Sequence, residues 1–183
     1  MGLSMGGLGV ALLVFPLAAW GSEAVPAGTP PEVEVGSKTL NLNGAAVMRK
    51  FVFDVYAVSL YLEQPTHDGR EAMRSDQEKQ IHLKMLRSAS SDQIAGALRE
   101  GIRAGGADLT GLQERIETLL GAIPDLHSGD TLDITYVPGA GTTLSRGKRG
   151  MTLPGKDFAD ALFSVWLGAD PKMARVKAGL LGR

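Results

Sequence analysis

Ala46-Val47-Met48-Arg49-Lys50-Phe51-Val52-Phe53-Asp54-Val55-Tyr56-Ala57-Val58-Ser59-Leu60-Tyr61-Leu62 is an almost unbroken run of aliphatic and aromatic side chains, and it reads as one long strand. Alternation puts Phe51, Phe53, Val55, Ala57 and Ser59 on one face and Val52, Tyr56, Val58, Leu60 and Leu62 on the other. A strand with one wet face would be apolar on alternate residues only. Both faces here carry apolar groups, so the strand is expected in the middle of a sheet, covered in part on each side.

Outward from it, short strands are expected at 33–35 and 39–41, broken by Gly36 and Gly44. The segment 64–77 is polar and suits a loop with a short helix, and 79–86 is the next strand, with Ile81, Leu83 and Met85 sharing a face. The period then changes. Ser90 and Gln93 have the spacing of a capping box, Ile94, Ala97, Leu98 and Ile102 form a helical stripe, and Gly105-Gly106 ends it. A second helix is expected over 108–122. Ser128-Gly129-Asp130 turns into a strand at 132–137, and Pro138-Gly139-Ala140-Gly141 joins that to 142–146 as a hairpin. A helix over 157–167 buries Phe158, Ala161, Leu162, Val165 and Trp166 and stops at Gly168; Asp170-Pro171 opens a last one. Strands, then helices, a hairpin, then helices again give the α+β class: helices packed on one face of an antiparallel sheet.

The chain has 183 residues, a formal net charge of −1 and no cysteine. The charge argues against nucleic-acid binding, and the lack of thiols excludes disulfides and thiolate metal sites. Residues 6–20 are almost wholly apolar and end in Ala19-Trp20-Gly21, a small-x-small pattern. This predicts a cleaved signal peptide at 1–21, a proline-rich linker at 22–34 and one domain at 35–183, exported to the periplasm with no stable membrane anchor after cleavage. The run is short for a membrane span and Pro16 interrupts it, which weighs against a retained anchor.

The chemistry is sparse. His67, His82 and His127 have no metal-ligand spacing, and no nucleophile elbow or phosphate loop is present, so no metal or cofactor is expected. Arg49 stands out. At the mouth of an apolar sheet face its guanidinium could hold a carboxylate through paired donors, although a strand-end arginine is also an ordinary surface charge. Tyr56 is placed to bring a hydroxyl towards the same ligand, although a core tyrosine with a satisfied hydroxyl is the commoner case.

Three blocks carry a resemblance. They are Asn43 to Phe51 with Val55-Tyr56 and Leu60-Tyr61-Leu62; Tyr136-Val137-Pro138-Gly139 with Gly141-Thr142; and Phe158 to Gly168 followed by Pro171 and Leu180-Leu181-Gly182. In that order they resemble chalcone isomerase-like proteins, and the exported bacterial members in particular. The resemblance implies a curved antiparallel sheet under a layer of helices, with an apolar cleft between them. In the plant enzymes, which cyclise a chalcone to a flavanone, that cleft holds an early Arg, a Thr on the next strand, a Tyr and an Asn on a helix, and a late Thr or Ser. Arg49 matches the Arg, with Met48 as the alternative position. Tyr56 falls at the first Thr, Ile94 and Gly101 at the Tyr and Asn, and Ser164 and Val165 near the last.

The pattern therefore resembles the fatty-acid-binding branch of the family more than the enzymes. An arginine without its proton-handling partners can fix an anion but is poorly equipped for cyclisation. The expected protein is a non-catalytic binder of a small apolar carboxylate such as a fatty acid, with Arg49, Tyr56 and Ser164 at the ligand. The alternatives are an isomerase or intramolecular lyase acting on an enone-like molecule, and a structural or interaction protein whose cleft is closed.

Overall fold

A computed structural model describes residues 25–183. The expected signal peptide and the first residues of the linker lie outside them. Seven strands follow one another as β1 (Glu32–Val35), β2 (Lys38–Lys50), β3 (Phe53–Leu62), β4 (Lys79–Met85), β5 (Thr131–Val137), β6 (Gly141–Arg146) and β7 (Arg149–Leu153). They pair antiparallel in that same order, as a single curled sheet. Five helices interrupt the sequence: α1 (Gly69–Arg74), α2 (Ser91–Ala104), α3 (Gln113–Gly121), α4 (Lys156–Leu167) and α5 (Ala174–Leu180), the last preceded by a tight helical turn at Pro171–Met173. The expected class, an antiparallel sheet layered by helices, is the observed one.

The core lies between sheet and helices. Val58, Leu60 and Leu62 of β3, Ile81, Leu83 and Met85 of β4, and Leu132, Ile134 and Tyr136 of β5 meet α4, nine of whose twelve residues are buried. On the other face Tyr61 packs with Val35 and Leu40, and its hydroxyl donates to the Pro30 carbonyl at 3.0 Å. The expectation of cover on both sides of β3 therefore holds, with the N-terminal segment supplying the second cover. The capping box at Ser90 and Gln93 is also formed.

Two close approaches fix the layers. A Cβ on Gly44 would lie 2.2 Å from the Gly179 carbonyl oxygen, so α5 rests directly on the backbone of β2. A Cβ on Gly105 would lie 2.2 Å from Ser164 Oγ, and one on Gly101 2.8 Å from a Val165 methyl, so α2 and α4 cross through small residues.

Four expectations fail. Gly44 does not end a strand: β2 runs through it from Lys38 to Lys50, with only a register shift between Leu42 and Gly44. The run 46–62 is two strands, folded back at Phe51-Val52 with Lys50 opposite Phe53. The second helix starts at Gln113 rather than 108, because the Asp108 carboxylate accepts from Thr110 N at 2.9 Å and Gly111 is left-handed at φ 72°. Strand β7 was not foreseen; it follows a turn at Gly147 (φ 59°) and completes the sheet edge.

Candidate binding site

The residues expected at a ligand are spread over three environments. Arg49 lies at the tip of the β2–β3 hairpin, where its Nε donates to Asp54 Oδ1 at 2.6 Å and both side chains are about half exposed (55% and 47%). Tyr56 is one cross-strand row further in, opposite Met48. It belongs to the inward face and packs, half-buried, against the main core together with Met48, Ile94 and Ala95. Its phenol oxygen accepts the Trp166 indole N–H at 3.2 Å. Burial pushes the phenol up to about 12, with the Trp166 bond pulling the other way, so it is neutral at physiological pH.

Ser164 is fully buried, and its hydroxyl donates to the Ala161 carbonyl at 2.6 Å within α4. It stands two residues before Trp166, about 200° around the helix axis, so the two point to nearly opposite sides of α4. Ser164 serves the crossing with α2, while Trp166 serves Tyr56.

The sheet carries further polar groups on its other face. Gln80 Nε2 and His82 Nδ1 both reach Asp133 Oδ1, at 2.9 and 2.6 Å. The row Ser59, His82, Asp133 runs straight across β3, β4 and β5. A serine, a histidine and an aspartate in line suggest an acyl-transfer triad. Ser59 is only 3% exposed, however, and the backbone N–H groups of these inner strands are committed to the ladder, so nothing there could hold an oxyanion. His67 is an exposed loop residue whose Nδ1 lies 2.6 Å from the Leu181 carbonyl oxygen, tying the C-terminal segment to the loop.

One group escaped the sequence reading. Lys79, at the start of β4, is fully buried. Its Nζ donates to the Ala72, Met73 and Ser75 carbonyls, which are the open C-terminal end of α1, and it lies over the rings of Phe163 and Tyr136. Burial first, then the nearby Lys156 ammonium, push it down to about 8, while Asp160 and Asp76 pull it up. Tyr136 in turn donates to Asp76 Oδ1 at 2.6 Å, and burial and that bond hold its phenol above the ordinary range. The signal was present in the sequence: Lys79 is in phase with Ile81, Leu83 and Met85 on the inward face.

A groove of about 570 Å³ opens at the far end of the sheet, lined by Leu132, Leu144, Arg146, Arg149 and Met151 among others. It is remote from Tyr56 in the strand order, and Arg146 is already held by Asp130 at 2.8 Å. Among the described residues no cluster of three or more His, Asp or Glu suits a metal ion.

The sequence profile of the chalcone isomerase-like family matches residues 23–182. Among solved structures, the chain is similar to a fatty-acid binding protein of Arabidopsis thaliana at a TM-score of 0.61 and 14% identity, over 85% of this chain and 95% of that one. No curated protein matches it in sequence at a significant level.

Proposed function

The chain belongs to the chalcone isomerase-like family, and from that premise we propose that it binds an apolar carboxylate such as a fatty acid, without catalysis, after export to the periplasm and removal of residues 1–21. The observation that carries the reading is the state of Tyr56. Its oxygen accepts from Trp166, which leaves its own O–H to donate, and it does so on the inward face of β3, opposite Met48 and half-buried against the core. A neutral phenol with a proton to give suits a carboxylate head group; a phenol near 12 is a poor base for cyclising an enone. Ile94 and Gly101 offer no proton-handling group on the facing helix. The fatty-acid binding protein of the same fold supports the same ligand class. Arg49 joins the head group by exchanging Asp54 for the ligand, which is inexpensive because exposed ion pairs are worth about 1 kcal/mol or less. Ser164 has no part in it.

Titration calorimetry with a long-chain fatty acid and its methyl ester tests this. Arg49→Ala and Tyr56→Phe should each weaken acid binding by about tenfold or more, as expected for losing a charge-assisted or buried hydrogen bond. The ester should bind poorly and ignore both changes. Arg149→Ala, at the remote groove, should leave the affinity unchanged; loss there with indifference at Arg49 and Tyr56 would move the site. A robust rate of chalcone cyclisation in an absorbance assay would overturn the non-catalytic reading.

A further inference from the structure

Of the five large apolar residues exposed among the described residues, four gather at one place: Phe51 (90% exposed), Val52 (84%), Phe53 (48%) and Leu86 (37%). Phe51 and Val52 form the β2–β3 turn, Phe53 opens β3 opposite Lys50, and Leu86 joins the base by donating from its backbone N–H to the Val55 carbonyl at 2.9 Å. Phe51 also adopts φ 57°, a left-handed conformation in which a side chain crowds its own backbone and which glycine or asparagine takes with ease. The fold gains nothing from that side chain, since it packs against almost nothing. Strained and exposed aromatic residues are an expense that folding alone does not explain.

Charge surrounds the tip. Arg49 and Lys50 precede it, and the Arg87 guanidinium lies 4.1 Å from the centroid of the Phe53 ring. Arg49 pairs with Asp54 at 2.6 Å, and Glu100, near Lys50, is paired with Lys172 at 2.7 Å. A convex turn with a basic collar has the form of an interfacial anchor: apolar groups enter the boundary between headgroups and acyl chains, and arginine and lysine remain at the phosphates.

We propose that this hairpin tip docks the protein peripherally on an anionic lipid bilayer, with Phe51 and Val52 inserted and Lys50, Arg49 and Arg87 at the phosphates. The bilayer is favoured over a protein partner because the surface is a point rather than a face, and because its cations complement lipid phosphate. The inference shares Arg49 with the acid-binding reading but does not depend on it, since its test uses Phe51, Val52, Lys50 and Arg87, none of which that reading places at the ligand.

The test is flotation of the processed chain, residues 22–183, with phosphatidylcholine vesicles, with and without about one-third phosphatidylglycerol. Wild type should float with the anionic vesicles, weakly with the neutral ones, and less at high salt. The double variant Phe51→Gly, Val52→Asn gives the turn residues that fit its backbone, so it should fold at least as stably while losing vesicle affinity by about tenfold or more. Lys50→Gln with Arg87→Gln should lose about fivefold or more on anionic vesicles only. In a Phe51→Trp variant, tryptophan emission should shift to the blue on those vesicles. Equal flotation of wild type and the turn variant, or flotation of neither, overturns the proposal. So does concentration-dependent self-association that the turn variant abolishes in the absence of lipid, since that makes the tip a contact between copies of the chain.

Discussion

Replacing Lys79 by methionine should alter the pH dependence of stability more than stability itself. In the folded protein the ammonium is out of water and titrates near 8, whereas in the unfolded chain it titrates near its ordinary 10.5. Between those values the unfolded state binds more protons, so the wild type gains stability as pH rises. From pH 7 to pH 10 the gain is about 2–3 kcal/mol at 1.36 kcal/mol per unit. The methionine variant lacks this gain.

At pH 7 two effects oppose each other in the variant. Three carbonyls of α1 and its cap lose their donor, at about 1–3 kcal/mol for each that stays dry, and the cost of burying a charge disappears. A small net loss is expected at pH 7, growing by about 2–3 kcal/mol at pH 10. Above pH 10 both proteins should lose stability together, because Tyr56 and Tyr136 keep their protons in the fold beyond the pH at which free tyrosine ionises. Urea unfolding at the two pH values measures the difference directly. Parallel profiles for wild type and Lys79→Met would refute the argument, since they would mean that Lys79 is solvated as the protein folds.

Glycine substitutions along α2 should split by position. Gly101→Ala meets Val165, a stiff side chain, at 2.8 Å and should cost about 1–2 kcal/mol in chemical denaturation, whereas Gly96→Ala, with nothing within 4 Å, should gain up to about 1 kcal/mol. Arg49→Ala should change stability by less than about 1 kcal/mol in the same assay, because its pair with Asp54 is exposed. Asp54→Asn removes Arg49's competitor and should raise fatty-acid affinity about two- to fivefold by calorimetry; an unchanged affinity would separate Arg49 from the head group.

The class of fold was legible because its determinants are local and periodic. The inward row of β4, the stripe and capping box of α2 and the apolar faces of α4 all lie within windows of a few residues. The site was less legible. Sequence placed Tyr56 on the inward face, yet its donor Trp166 is 110 residues away and only the packing of α4 brings the two together. Ser164 looked available beside Val165, but a helix turns by about 100° per residue, and the side it occupies is filled by Gly105, the cap that ends α2. Lys79 was readable by phase alone; what phase could not supply was the end of α1 that turns a buried lysine into a cap.

The turn at Phe51-Val52 could not be found from sequence, and the reason bears on what it does. Hairpin turns are read from glycine, asparagine and aspartate, which take left-handed backbone at little cost. Here the four residues Lys50-Phe51-Val52-Phe53 are three strand formers and a lysine, so alternation runs through the bend without a break. The chain turns because the strands on either side have registers to satisfy: Met48 must meet Tyr56, and Gly44 must lie against Gly179. Long-range packing thus imposes the bend on residues with no local reason to adopt it. A glycine or asparagine at 51 would serve that packing better, and a polar residue at 52 would serve solubility better. The side chains at the tip answer to a demand from outside the fold, and the apolar, basic-collared surface they make is the one a lipid boundary would meet.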